Sequence, residues 1–206
     1  MPKIYSNEKR QEIRNQLMMV GLELIKQNGF KKMSIQELTK RVGIAQGTFY
    51  NFFISKEMLV YELADAYQQS INYKLEKIIQ SKGYFERNDL RELYYHMFLK
   101  DENNVYRFIT REDLQILYTR LPSDCFHKMT DIKEEMERNL LNASELKEHY
   151  DLDTVINWIQ IMNLTIQNKD ILVEAGIEKM ILAMIENMLD ELFERPGKRS
   201  NNYEVL

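Results

Sequence analysis

Cysteine is nearly absent from this chain of 206 residues: the single Cys125 has no partner for an intramolecular disulfide. A disulfide-built secreted scaffold is thereby excluded, and a reducing, cytoplasmic setting is expected. Seven Gly and three Pro supply few turns, and the sheets of an all-β protein would need many. The longest apolar runs, such as 180–185, fall far short of the ~18 residues of a membrane span. The opening MPKIYSNEKRQ has no apolar signal core. No H-E-x-x-H, G-x-S-x-G or G-x-x-x-x-G-K-[ST] occurs, and His96, His127 and His149 are scattered, with no Cys–His cluster of metal-ligand spacing. No metal site, cofactor or catalytic centre is therefore expected.

What remains is helix-forming and unevenly charged. Residues 1–60 hold ten Lys and Arg against five Glu, a balance of +5, and the remainder carries −9. A basic head on an acidic body points to a polyanionic partner for the head alone. Ile13, Leu17, Val20 and Leu24 place one apolar stripe on a helix over about Asn7 to Gln27, ended by Asn28-Gly29. Ser34-Ile35-Gln36-Glu37 has the form of a capping box and opens a short helix to about Arg41. After Val42-Gly43-Ile44 a second short helix is expected over about Gln46 to Phe52, which makes a helix-turn-helix. Ser55 is the expected cap of a long helix reaching about Gln80. Further helices are expected over about Asn88–Lys100, in an irregular pair within Asn104–Arg120, from Pro122 to Leu140, over Asp151–Asn168 and over Val173–Glu194. The fold class is all-α: a three-helix, helix-turn-helix head and a C-terminal helical bundle, about nine helices in all. The expected boundaries are 8–54 for the head (motif 34–53), 55–196 for the bundle and 197–206 for a disordered tail.

The stretch Gly29-Phe30 … Ser34-Ile35-Gln36-Glu37-Leu38 … Val42-Gly43-Ile44-Ala45-Gln46-Gly47-Thr48-Phe49-Tyr50-Asn51-Phe52-Phe53 … Ser55-Lys56-Glu57 resembles the TetR/AcrR family of bacterial transcriptional regulators. The resemblance covers about residues 8–65. It implies a homodimeric repressor of double-stranded operator DNA, cytoplasmic and without membrane contact, released when a small molecule enters the C-terminal part. By position it places Gln46, Gly47, Thr48, Tyr50 and Asn51 toward the major groove, with Ser34, Gln36 and Lys56 near phosphates. The chemistry agrees. Gln and Asn amides can pair with adenine edges, and Thr or Tyr hydroxyls can reach phosphate. Ala45 stands where a capping Ser or Thr is common, and Phe52 where many members have His.

The body is rich in Met and aromatic residues, which suit an apolar or aromatic effector. The resemblance places such a pocket among Tyr67, Tyr94, Phe98, Phe108, Tyr118, Phe126, Met129, Trp158 and Met162. It likewise places Trp158, Met162, Ile181, Met184 and Met188 at a dimer interface formed by the last two helices. An activator, or a helical adaptor whose head binds protein, are the alternative readings.

Overall fold

The computed structural model describes residues 6–123, 125 and 132–194. Phe126, Met129 and the tail at 197–206 lie outside them. The helices are α1 (Asn7–Lys32), α2 (Ile35–Val42), α3 (Gln46–Phe49), α4 (Lys56–Lys82), α5 (Arg87–Tyr95), α6 (Arg111–Arg120), α7 (Ile132–Leu140), α8 (Leu152–Gln167) and α9 (Glu174–Leu192). A π turn, His96–Lys100, continues α5, and 3-10 turns occupy Val105–Arg107 and Lys169–Ile171. Among the described residues the only β pairing is two isolated bridges. The fold is all-α, and none of its described helices is long and apolar enough to cross a membrane.

The chain divides into two compact units. The first comprises Met1–Ser70 and Glu102–Thr130. Its core joins Ile13, Leu17 and Leu24 of α1 with Leu38, Phe49, Phe53, Leu59 and Val60. Val105, Ile109, Leu117 and Leu121 belong to the same cluster, so the packing of the head extends well beyond 8–54. Two ion pairs tie α6 to this unit: Lys31 with Glu112 at one end and Arg120 with the buried Glu57 at the other. At Gly21 the backbone of α1 runs so close to α4 that an added Cβ would stand 2.8 Å from Leu59 Cδ2.

The second unit comprises Ile71–Asp101 and Asp131–Leu206. Here α9 packs on both α5 and α8. Phe85, Phe98, Val155, Met162, Ile181, Ile185, Met188 and Leu189 are all fully buried. The half-buried Arg87 of α5 donates to Glu186 (2.7 Å) and Asp190 (2.8 Å) of α9, which fixes that crossing. α4 contributes its first part to one unit and its last part to the other.

Candidate nucleic-acid interface

Local chemistry sets the helix-turn-helix. The Ser34 hydroxyl accepts from the Glu37 N–H at 3.1 Å and so caps α2. The second half of the expected capping box is not made. Glu37 instead accepts from Arg41 at 2.7 Å, one turn along the helix. Gly43, at φ 77° and ψ 31°, ends α2 in the left-handed conformation. Its N–H reaches the Lys40 carbonyl at 3.3 Å and the Ile44 N–H reaches the Thr39 carbonyl at 3.0 Å. This pair of bonds is a Schellman motif, which fixes the direction in which the chain leaves α2.

The second helix is shorter than expected, four residues instead of about seven, and Ala45 offers it no side-chain cap. So short a helix has no intrinsic stability and is held by tertiary contact. Phe49 and Phe53 supply that contact: both are fully buried, with ring centroids 5.7 Å apart. Around these anchors Gln46, Gly47, Tyr50 and Asn51 are exposed, Tyr50 to 52%. Thr48 is half-buried. Gln36 is exposed on α2, one turn before the exposed Lys40. Lys40, which makes no ion pair among the described residues, was not singled out by sequence reasoning. Gly47 has no neighbour within 4 Å of an added Cβ, so nothing inside the protein requires a glycine there.

Lys56 departs from expectation. Its ammonium donates to the carbonyls of Phe30 (3.3 Å), Lys31 (3.3 Å) and Met33 (3.2 Å) and lies 4.6 Å from the centroid of the Phe30 ring. It thus binds carbonyls at the end of α1, of which Phe30 also accepts from the Met33 N–H, and is directed inward in this structure. Partial burial lowers its pKa from the usual lysine value, and the adjacent Glu57 opposes that shift.

A polar recess of about 320 Å³ lies beside this surface, lined by Asn7, Arg10, Gln11 and Arg14 of α1 and by Asn51 and Phe52. Arg10 Nη2 donates to the Asn51 carbonyl at 3.4 Å, and its guanidinium carbon lies 5.4 Å from the Phe52 ring centroid. Phe52, in the place where the resembling family often has His, is therefore the platform for an arginine. Arg14 pairs with Glu62 and lies 4.9 Å from the Phe53 ring centroid.

The residues expected to line a pocket are scattered. Tyr67 and Phe108 belong to the first unit, where Tyr67 packs edge-on against Tyr106 at 6.2 Å. Tyr118 projects from α6 and is 53% exposed, so it is a surface residue. In the second unit Tyr94 stacks on the buried Phe98 at 6.3 Å, and burial raises the Tyr94 pKa to about 12. Trp158 is half-buried and Met162 fully buried on α8. The expected dimer contacts need correction as well. Met162, Ile181 and Met188 have no accessible surface because they form the core between α8 and α9. Trp158 and Met184 keep partial exposure, together with Ile177 and Met180. Ile161 (44% exposed) and Leu164 (48%) are the larger apolar side chains that α8 presents outward.

A family described as "Bacterial regulatory proteins, tetR family" matches residues 17–63. The HTH-type transcriptional regulator YvdT of Bacillus subtilis, itself described as uncharacterized, is 39% identical over 49 residues, 24% of this chain and 25% of that protein. The HTH-type transcriptional repressor NemR of Escherichia coli K12 is 30% identical over 70 residues, 34% of this chain and 35% of that protein. The chain thus spans a quarter to a third of the length of these curated relatives. The solved structure of the ketosteroid transcriptional regulator KstR2 of Mycobacterium tuberculosis superposes with a TM-score of 0.56 at 16% identity. That superposition covers 94% of this chain and 98% of the other, which is a likeness of fold.

Proposed function

We propose that this chain, whose residues 17–63 match the tetR family of bacterial regulatory proteins, binds operator DNA as a homodimer and represses transcription until a small apolar or aromatic effector releases it. One observation carries this reading. A segment too short to be a helix on its own is clamped by two buried phenylalanines, and it turns Gln46, Gly47, Tyr50 and Asn51 outward. In the major groove Gln46 and Asn51 would pair with base edges, and Tyr50 and Thr48 would reach phosphate or a thymine methyl. Gly47 would let the backbone approach the duplex. Gln36 would flank the groove from α2, near the capped Ser34.

Dimerisation follows from recognition of two half-sites about 34–36 Å apart, or a multiple of that spacing. On the exposed faces described above, the dimer contact is Trp158, Ile161 and Leu164 with Ile177, Met180 and Met184. The effector binds in the second unit near Tyr94, Phe98 and Trp158, whose aromatic side chains suit an apolar ligand. Coupling of about 1–3 kcal/mol would weaken DNA binding ~5–150-fold.

The test is selection from a random duplex library at near-physiological salt. The expected result is an enriched inverted repeat, with selectivity lost in Gln46→Ala and affinity for all duplexes weakened in Tyr50→Phe. Folded, dimeric protein that enriches no site, even after refolding free of ligand, would refute the reading.

A further inference from the structure

We propose that the recess between α1 and the end of the helix-turn-helix is a seat for one phosphate group, and that its occupant is a phosphodiester of the DNA backbone held by Arg10. The proposal rests on the DNA-binding reading above and adds to it a site outside the recognition segment. Asn7, Arg10, Gln11 and Arg14 stand at i, i+3, i+4 and i+7, so one face of α1 carries two guanidinium and two amide groups. Ile13, Leu17 and Leu24 occupy the buried face, which leaves this polar stripe with no part in the core. Asn51 and Phe52 close the other wall, and no carboxylate lines the recess. Its volume of about 320 Å³ is far above the ~10–15 Å³ that a single water needs, so a hydrated anion is not excluded by size.

Arg10 is prepared for this role. The Phe52 ring and the Asn51 carbonyl orient its guanidinium, and only one of its donors is engaged among the described residues. A guanidinium presents five donors in a planar fork that matches two phosphate oxygens. Because Arg10 donates to the backbone of Asn51, the seat is keyed to the end of the base-facing segment. Arg14 adds little net charge, since Glu62 neutralises it.

Anisotropy titrations of the full chain with the selected duplex and with a random duplex, over a range of salt, test the proposal. Arg10→Ala is expected to weaken both duplexes by the same factor, roughly tenfold, and to lower the salt slope by about 0.9 per head. Base preference and melting temperature should not change. Arg10→Lys should retain the slope and only part of the affinity. A methylphosphonate at the contacted position should weaken the wild type and have no effect on Arg10→Ala. An unchanged slope in Arg10→Ala, with selectivity still lost in Gln46→Ala, overturns the seat and leaves DNA binding intact. A fall in melting temperature with altered base preference and an unchanged slope assigns Arg10 to holding Asn51, and also overturns it. Saturable binding of inorganic phosphate that Arg10→Ala abolishes, with DNA affinity unaltered, would assign the recess to a free anion instead. Absence of duplex binding by any folded variant would refute both readings together.

Discussion

Lys56 separates two physical roles that one substitution can tell apart. Lys56→Met keeps most of the stem and removes the ammonium from three carbonyls at 3.2–3.3 Å and from the Phe30 ring. Hydrogen bonds to a charged group contribute about 1.5–3 kcal/mol, and a cation over an aromatic ring about 0.5–1 kcal/mol. The bonds are long, the ammonium is half-buried, and its desolvation opposes the gain, so the net expectation is the lower end, about 1–2 kcal/mol. For a chain of this size each kcal/mol moves the melting temperature by about 2–4 °C, so a fall of roughly 2–8 °C is expected by circular dichroism at 222 nm. DNA affinity measured well below the melting range should keep its salt slope. The opposite pattern would refute the reasoning: stability unchanged within ~0.5 kcal/mol while the slope falls by about 0.9 per head would mean that Lys56 leaves the carbonyls for a phosphate.

Three further outcomes are expected. Burial alone would raise the pKa of the Glu57 carboxyl, but bonds from its own backbone N–H, the Arg120 guanidinium and the Ser55 hydroxyl outweigh it and hold the pKa below the usual value. Stability from Glu57 is therefore fully present above the ordinary glutamate range and is lost as pH falls through the folded-state pKa. Glu57→Gln should be less stable than wild type at pH 7, and urea titrations should show the gap closing as the pH is lowered below that value; a pH-independent gap would contradict it. Gly21→Ala should destabilise by about 1 kcal/mol, because overpacking Leu59 (~1–3 kcal/mol) exceeds the gain in helix propensity (~1 kcal/mol). A higher urea midpoint for the variant would show that the crossing has slack. Ile161→Glu with Leu164→Glu should leave a folded monomer in sedimentation at micromolar concentration; a dimer unaffected by both changes would exclude that face.

Where determinants are local, the sequence was readable. Ser34 and Gly43 act through neighbours three or four residues away, so the start and end of α2 follow from the chain itself. The failed half of the capping box arises from competition: Glu37 can reach either the Ser34 N–H or Arg41, and the guanidinium wins. Lys56 was misplaced because a long flexible stem can turn outward or inward, and only the tertiary position of the α1 terminus decides which. The inclusion of α6 in the head core depends on contacts across more than fifty residues, for which local periodicity has no signal. On α8 and α9 periodicity identified apolar faces but not which of them the neighbouring helix covers, so Met162, Ile181 and Met188 were assigned outward. The polar stripe at 7, 10, 11 and 14 was legible by spacing and was passed over in favour of its apolar opposite.

The division of labour within residues 46–53 has an evolutionary consequence. Folding information resides in Phe49 and Phe53, with Tyr50 edge-on against Phe49 at 5.4 Å, while Gln46, Gly47 and Asn51 bear almost none of it. On the proposed reading, mutation can therefore explore new operator sequences at Gln46, Gly47 and Asn51 with little loss of stability, and a duplicated gene could acquire a different target before its scaffold needed to change.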